Sequence, residues 1–511
     1  MHSWLDVLLI GAYALIAVLL SVYGAHRWLM AGLFLRHRRD TPSAGPRPMV
    51  PVTVQLPTFN EKDVVERLID AAAGLRWPDL QIQVLDDSTD ETTALAQAAV
   101  DRWQARGVDI ALLHRSDRTG FKAGALQAAM DSARGRFIAI FDADFIPQAG
   151  FLESAMAHFH DDVGVVQARW GHINRDESLL CRLQAILLDG HFVVEHTARN
   201  RTGRWFNFNG TAGVWRREAI EAAGGWQHDT LTEDLDLSYR AQLAGWRFVY
   251  LVDLVVPAEL PRTVDAFRSQ QHRWAKGTTQ TLLKLGRRVA TSPLPWRVRS
   301  EALVHLSSNL AYPLVLLLAL LNPVAVFLRG TWQRELLVFD LLVFFTASLG
   351  VASFYTVSQW AGSPDWKRRL QDIPGAMALG IGLSVNQTMA VVEALRGQQS
   401  PFVRTPKGAY TAARARPVGE LALALLHVVA LVFSAWNGWW ESVPLQGLFV
   451  WGFGYVAWGS LWKGSATSSA SGPATSSAEA SVASNPRAVN SSTRSQPATT
   501  SSKRSKRRAS M

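Results

Sequence analysis

Phe137-Ile-Ala-Ile-Phe-Asp142-Ala-Asp144-Phe-Ile-Pro147 is an apolar run that ends in two carboxylates one residue apart. The run reads as a buried strand. Residues i and i+2 of a strand share a face, so the pattern predicts that Asp142 and Asp144 point the same way from the strand's carboxyl end. In open α/β sheets that edge is where ligands bind. Two carboxylates there suit a hard divalent cation shared with substrate phosphates. Two solvated loop carboxylates are the competing reading, because the pattern is short.

Reading outward, apolar runs alternate with helical stretches from Met49 onward. Short strands are expected at 52–56, 81–85 and 109–113, and helices at 62–75, 91–106 and 122–133. The alternation predicts a mostly parallel sheet covered on both faces. Polar motifs follow the strands: Pro57 to Glu61, Asp86-Asp87-Ser-Thr-Asp90, and Asp142-Ala-Asp144. A less regular portion covers about 164–260, and Gln270-Gln-His-Arg-Trp274 then lies on a helix running towards Leu285.

The chain of 511 residues is 48% hydrophobic with 20 Trp, but the apolar residues are concentrated at its two ends. Residues 4–25 are long and apolar enough for a membrane anchor, and the basic flank to Arg39 places the following domain in the cytosol. Residues 40–49 read as a linker, and 50–300 as the cytosolic domain. Further spans are expected at 303–328, 335–358, 418–436 and 444–461, giving five crossings of the cell's inner (plasma) membrane. The apolar stretch 374–395 has basic flanks on both sides and is expected to be interfacial or re-entrant. The segment 462–511 is rich in Ser, Ala and Thr and is expected to be disordered. It holds eight Lys or Arg against Glu479, so most of the net charge of +10 is local, and nucleic acid is a poor candidate partner. Contact with anionic lipid headgroups is one use for that tail. The single Cys181 excludes an intramolecular disulfide and a cysteine zinc site.

Several residues suit chemistry, each with a plainer alternative. Asp86 and Asp87 could accept from a nucleobase or ribose, or cap a turn. Lys122 could meet a phosphate, or be a surface lysine. Asp234, in Thr232-Glu233-Asp234, could take a proton at a helix start; equally, Thr232 could be an N-cap beside dipole-favouring carboxylates. On a helix Gln270 shares a face with Arg273 and with Trp274. Arg273 suits a diphosphate and Trp274 a sugar ring, unless Trp274 simply packs into the core. Phe402-Val-Arg404-Thr405-Pro-Lys407 could reach back over a cytosolic site, or be an ordinary basic loop.

In this order, and placed before membrane helices, these motifs resemble the processive inverting glycosyltransferases of family two. The resemblance is densest over residues 50–280 and is nearest to the cellulose-synthase-like mannan and glucomannan synthases. It rests on Gln83 to Asp90, Lys122 to Leu126, Ile140 to Phe145, Val166 to Trp170, Phe208 to Trp215 and Gln270 to Trp274. It implies an α/β, doubly wound nucleotide-sugar domain of the GT-A type joined to α-helical membrane segments. It further implies that Asp86 or Asp87 binds the nucleoside, and that Asp142 and Asp144 hold Mg2+ or Mn2+. Asp234 would be the general base. Lys122, Gln270, Arg273 and Trp274 would hold the donor, with Trp170, Asn209, Thr232, Glu233 and Trp274 along the acceptor path. Residues 400–408 are similar to the gating loop of cellulose synthases, with Arg404 where theirs is apolar. The implied partners are a nucleotide-diphospho-sugar such as UDP-glucose or GDP-mannose, a polysaccharide acceptor and membrane lipid. Transfer of one or a few sugars to ceramide or diacylglycerol is the alternative within the enzyme class. A membrane scaffold or transporter with a dead transferase domain is the alternative outside it.

Overall fold

The computed structural model describes residues 4–398 and 416–461. Residues 399–415, with Phe402, Arg404, Thr405 and Lys407, lie outside the described residues, as does the tail from 462. Seven strands form one sheet in the order β3-β2-β1-β4-β6-β5-β7. They are β1 (Val52–Thr58), β2 (Leu80–Asp86), β3 (Ile110–His114), β4 (Phe137–Ile140), β5 (Val163–His172), β6 (Gly213–Arg216) and β7 (Arg247–Ala258). All neighbours run parallel except β6, which is antiparallel to both β4 and β5. The portion 164–260 that looks irregular in sequence therefore completes the same sheet. Its strands lie beside β4 in space and far from it in sequence.

Two boundaries differ from expectation for physical reasons. β1 runs through Pro57 to Thr58. Its pairing with β4 stops at Gln55, so only β2 neighbours Pro57, and a strand tolerates proline where one edge is open. β4 ends at Ile140, so Asp142 and Asp144 project from the following turn, closed by Phe145 N–H donating to Asp142 O at 3.0 Å. Their shared direction comes from that turn and not from strand alternation.

The first helix, α1 (Trp4–His37), packs on the later membrane helices. Around the sheet lie α2 (Val65–Ala73), α3 (Thr92–Gln104), α4 (Phe121–Ala129), α5 (Phe151–Met156), α6 (Leu179–Asp189), α7 (His196–Arg201), α8 (Arg217–Ala222) and α9 (Glu233–Leu243). A π-helical stretch, Gly190–Glu195, joins α6 to α7. The long α10 (Val264–Ala290) leads away from the sheet into α11 (Trp296–Ser307) and α12 (Ala311–Val343). Then come α13 (Leu349–Gly362), α14 (Trp366–Arg369), α15 (Ile373–Gly382), α16 (Ser384–Leu395), α17 (Val418–Trp436) and α18 (Val443–Leu461).

Four helical segments among the described residues are long and apolar enough to cross a membrane: Trp4–His37, Trp296–Leu328, Leu336–Gly362 and Val418–Trp436. The expected spans at 303–328 and 335–358 are joined through α12, which is bent at Trp332 (φ −121°, ψ 29°). α15 and α16 meet at 42°, as a broken span or a re-entrant loop does, and counting that pair as one span gives five. α18, expected to cross, is not among the four. Gln446, Tyr455, Ser460 and its four glycines lower its mean hydropathy.

Small residues let these helices approach closely. A Cβ on Gly452 of α18 would lie 2.3 Å from Ala378 O, and one on Gly382 of α15 2.2 Å from Gly452 O. Overpacking costs about 1–3 kcal/mol. Gly452→Ala is therefore expected to lower the melting midpoint of the detergent-purified chain, read by size-exclusion chromatography after stepwise heating.

Candidate functional site

A cleft of ≈ 210 Å³ opens at the carboxyl ends of β1, β2 and β4. It is lined by Asp87, Lys122, Asp142, Asp144, Trp170, Asn209, Thr232, Glu233, Asp234, Gln270, Arg273 and Trp274. Residues spread over about two hundred positions of sequence thus meet in one place. Asp86 is the exception. It is fully buried and not part of the lining. Its carboxylate accepts from Ser88 N–H at 3.1 Å and Thr93 Oγ1 at 2.6 Å, and lies 2.8 Å from His114 Nδ1. Burial alone would raise its pKa, but these hydrogen bonds outweigh it and hold the carboxyl below its ordinary value. Asp86 braces the loop after β2, and only Asp87 reaches the cleft, gripped by Arg115 Nε at 2.8 Å and Nη2 at 2.6 Å.

Lys122, near the start of α4, is not a surface lysine. Its Nζ donates to Asp142 Oδ1 at 2.5 Å and to Gly210 O at 2.9 Å, and lies 3.9 Å from Glu233 Oε1. Asp142 N–H donates to Thr211 Oγ1 at 2.8 Å. Gly210 has φ +78°, and a Cβ there would stand 3.2 Å from Asp234 Oδ2 and 3.4 Å from Lys122 Nζ. Glycine at this point permits both the left-handed turn and the close approach. Thr232 occupies the N-cap position of α9 without a side-chain capping bond; its Oγ1 faces Thr281 Oγ1 at 3.5 Å. The simple capping explanation of Thr232 therefore does not hold. Trp274 is half-buried at the cleft wall, 6.3 Å from the Trp170 ring.

The electrostatics follow from crowding. Burial pushes Asp234 up to about 7, the charge of Glu233 beside it adds to the rise, and Lys122 opposes it. Burial also raises Glu233, again against Lys122. Burial pulls Lys122 down, but Asp142 and Glu233 more than compensate, so it stays protonated. The oxygen donors of Asp142 and Asp144 fit Mg2+ or Mn2+ by chemistry. Among the described residues no three His, Cys, Asp or Glu side chains are grouped to hold a metal alone. A cation there needs oxygens from a bound diphosphate and water.

Other lining residues were not singled out from sequence. Phe59 and Glu61, from the loop after β1, line the cleft with Arg118, whose guanidinium carbon lies 3.2 Å from the Phe59 ring centroid. Their position just after a strand was the available signal. A second, larger cavity of ≈ 510 Å³ shares Trp170, Asn209, Thr232, Asp234, Gln270 and Trp274 with the cleft. It extends between membrane helices past Tyr23, Tyr312, Tyr355, Gln387 and Phe449. Asn209 stands at the junction, with Oδ1 2.6 Å from His196 Nε2 and Nδ2 3.1 Å from His191 Nε2. A chain of ion pairs begins at the wall, which Arg27, Glu195 and Arg199 line. Arg27 of α1 pairs with Glu195, Arg199 Nη1 lies 3.2 Å from Glu195, and Arg199 Nε lies 3.0 Å from Glu301 of α11.

A carboxyl whose folded pKa is raised costs stability as pH climbs from its unfolded value near 3.9 to its folded value, and the full cost applies above that. For Asp234 the window ends at about 7. Asp234→Asn, without ligand, is therefore expected to raise the melting midpoint, and to raise it more at pH 8 than at pH 5. The size at pH 8 is on the order of a few kcal/mol. Equal gains at both pH values would contradict the raised pKa.

Comparison with known proteins adds to this geometry. Residues 48–277 match the family described as "Glycosyltransferase like family 2". Glucomannan 4-beta-mannosyltransferase 1 of Oryza sativa subsp. japonica is 44% identical over 254 residues, covering 48% of this chain and 49% of that protein. Glucomannan 4-beta-mannosyltransferase 2 of Arabidopsis thaliana is 46% identical over 242 residues, covering 46% and 45%. The chain thus spans about half the length of these curated relatives. Among solved structures, the mannosyltransferase PcManGT from Pyrobaculum calidifontis, in complex with GDP-Man and Mn2+, matches with a TM-score of 0.49 at 21% identity, covering 76% of this chain and all of that one. Over residues 48–277, a little under half of the chain, the sequence is thus similar to the family 2 glycosyltransferases.

Proposed function

We propose that the chain is a membrane-embedded, inverting hexosyltransferase that extends a β-linked polysaccharide from a nucleotide-diphospho-sugar, with GDP-mannose or UDP-glucose as donor. The carrying observation is that two cavities meet at Asp234. One is lined by Asp142, Asp144, Lys122 and Arg273 and suits a diphosphate. The other, lined by aromatic and polar side chains, runs between membrane helices and suits the acceptor glycan. The relatives' mannosyltransferase activity on glucomannan supports mannose as the sugar and a polymer as the product. The same points favour a polymer over a lipid acceptor. The basic residues after α1 support a cytosolic catalytic domain at the inner, plasma membrane.

Inverting transfer is one displacement. The acceptor hydroxyl oxygen bonds to the anomeric carbon, the bond from that carbon to the diphosphate breaks, and the nucleoside diphosphate leaves with the electron pair. Asp234 takes the hydroxyl proton, and a carboxylate with a pKa of about 7 is well matched to that task at neutral pH. Burial, with the charge of Glu233 beside it, keeps that pKa high. Arg273, with Gln270 one turn before it, meets the charge growing on the diphosphate. Trp170 and Trp274 offer flat faces to the acceptor sugars, and Asn209 offers amide groups at the entrance to the larger cavity. Asp87, at the cleft, takes the nucleoside in this reading. A divalent cation on Asp142 and Asp144 would neutralise the diphosphate.

The test uses the full chain in detergent or vesicles, with nucleotide release and product size read for each donor. A long glycan from one donor is expected; a one- or two-sugar product that partitions into organic solvent would overturn the polymer reading. Asp234→Asn is expected to lower kcat by about 10²–10⁴-fold. In the parent, kcat/KM should rise with pH through about 7, because only ionised Asp234 accepts the proton. Chelation should abolish turnover, and either Mg2+ or Mn2+ should restore it.

A further inference from the structure

We infer that Arg268, His272 and Lys276 of α10, with Glu393 and Glu420, are positioning residues that set Arg273 in register with Asp234. The inference rests on the transferase reading above. The three basic residues stand at i, i+4 and i+8, which is one stripe along a helix. Each turn of the stripe is tied to a helix outside the catalytic domain. Arg268 Nη2 donates to Glu420 Oε1 of α17 at 2.8 Å, and its Nη1 to Ser460 Oγ of α18 at 3.0 Å. His272 Nε2 lies 3.1 Å from Glu393 Oε2 of α16, and Lys276 Nζ donates to the same oxygen at 2.9 Å. Asn386 of α16 adds a bond from Nδ2 to Arg268 O at 3.0 Å. Arg268, Lys276 and Glu420 are buried, where ion pairing is geometrically exacting.

Further along, α10 is seated on the segment that leads to the base. A Cβ on Gly277 would lie 2.7 Å from Thr232 N, and Leu231 N–H donates to Gln280 Oε1 at 2.9 Å. α10 is thus held between Thr232 and three membrane-region helices, with Arg273 facing the cleft between these anchors. A side chain about 5–6 Å from a helix axis moves by roughly 1 Å when the helix turns by about 10°. A misplacement of about 1 Å at a reacting group can cost on the order of 10²-fold in rate. The stripe fixes that rotation, so the arrangement of α16, α17 and α18 sets how well Arg273 meets the departing diphosphate.

The experiment compares parent, Glu393→Gln and Glu393→Asp full chains in nanodiscs, each with Arg273 and with Arg273→Lys. Glu393 is only partly buried, so its neutral isostere is the milder change. Expected for Glu393→Gln is a fall of about ten-fold in donor kcat/KM, with the melting midpoint within about 2 °C of the parent and partial recovery in Glu393→Asp. In the Arg273→Lys background the same substitution should cost about two-fold or less, because its effect passes through the Arg273 fork. Binding of GDP and UDP to the parent is measured first. A parent that binds neither nucleotide and turns over neither GDP-mannose nor UDP-glucose sinks the transferase reading, and this inference with it. A working parent whose Glu393→Gln variant keeps kcat/KM within two-fold, or loses the same factor in both backgrounds, overturns the positioning role alone.

Discussion

Lys122 sits among three carboxylates that it only partly balances. Its ammonium touches Asp142 and faces Glu233, with Asp234 beside them across Gly210. Negative charge exceeds positive in a space largely removed from water, so some carboxyls must hold protons or acquire a cation. Asp234 carries the clearest consequence, a pKa near neutrality. Binding a cation and a donor at Asp142 and Asp144 would change that balance next to the base. In the proposed function, donor arrival and ionisation of Asp234 would then act on each other.

The rest of the architecture serves to hold this cluster at the junction of two compartments. The sheet delivers Asp87, Asp142 and Asp144 at one edge, and β6, entering antiparallel, follows the Asn209-Gly210-Thr211 turn on which Lys122 and Asp142 lean. The buried chain Arg27–Glu195–Arg199–Glu301 ties α1 and α11 to the catalytic domain. Charge pairs of this kind contribute little net stability when compared with apolar packing, but they fix orientation and are costly to break singly. Their place along the wall of the larger cavity makes that orientation matter for whatever passes through it.

Part of the cleft was legible in the sequence because Asp87, Asp142 and Asp144 follow strands, and strand ends in α/β sheets converge. Asp234 stood out at a helix start and Arg273 on a helix face, and Lys122 as a lysine that could meet a phosphate; the cleft brings all of them together. What was not legible depends on partners distant in the chain. Asp86 and Asp87 are alike locally, yet Thr93 and His114 draw the first inward and Arg115 holds the second at the cleft. Nothing local places Glu195 against Arg27, or Glu393 against Lys276. The π-helical turn at Gly190–Glu195 and the bend of α12 at Trp332 are likewise set by packing, and composition does not mark them. The antiparallel insertion of β6 made a regular sheet look irregular along the chain.

In the proposed mechanism donor and acceptor meet at Asp234 from two different cavities. An electron-microscopy structure of the Asp234→Asn chain in nanodiscs, with a donor and a short β-linked mannan or glucan, tests it most directly. Diphosphate density is expected against Asp142, Asp144 and Arg273. A glycan is also expected in the larger cavity, with its terminal hydroxyl at residue 234. A glycan bound outside that cavity, or a diphosphate away from Asp142 and Asp144, would contradict the mechanism.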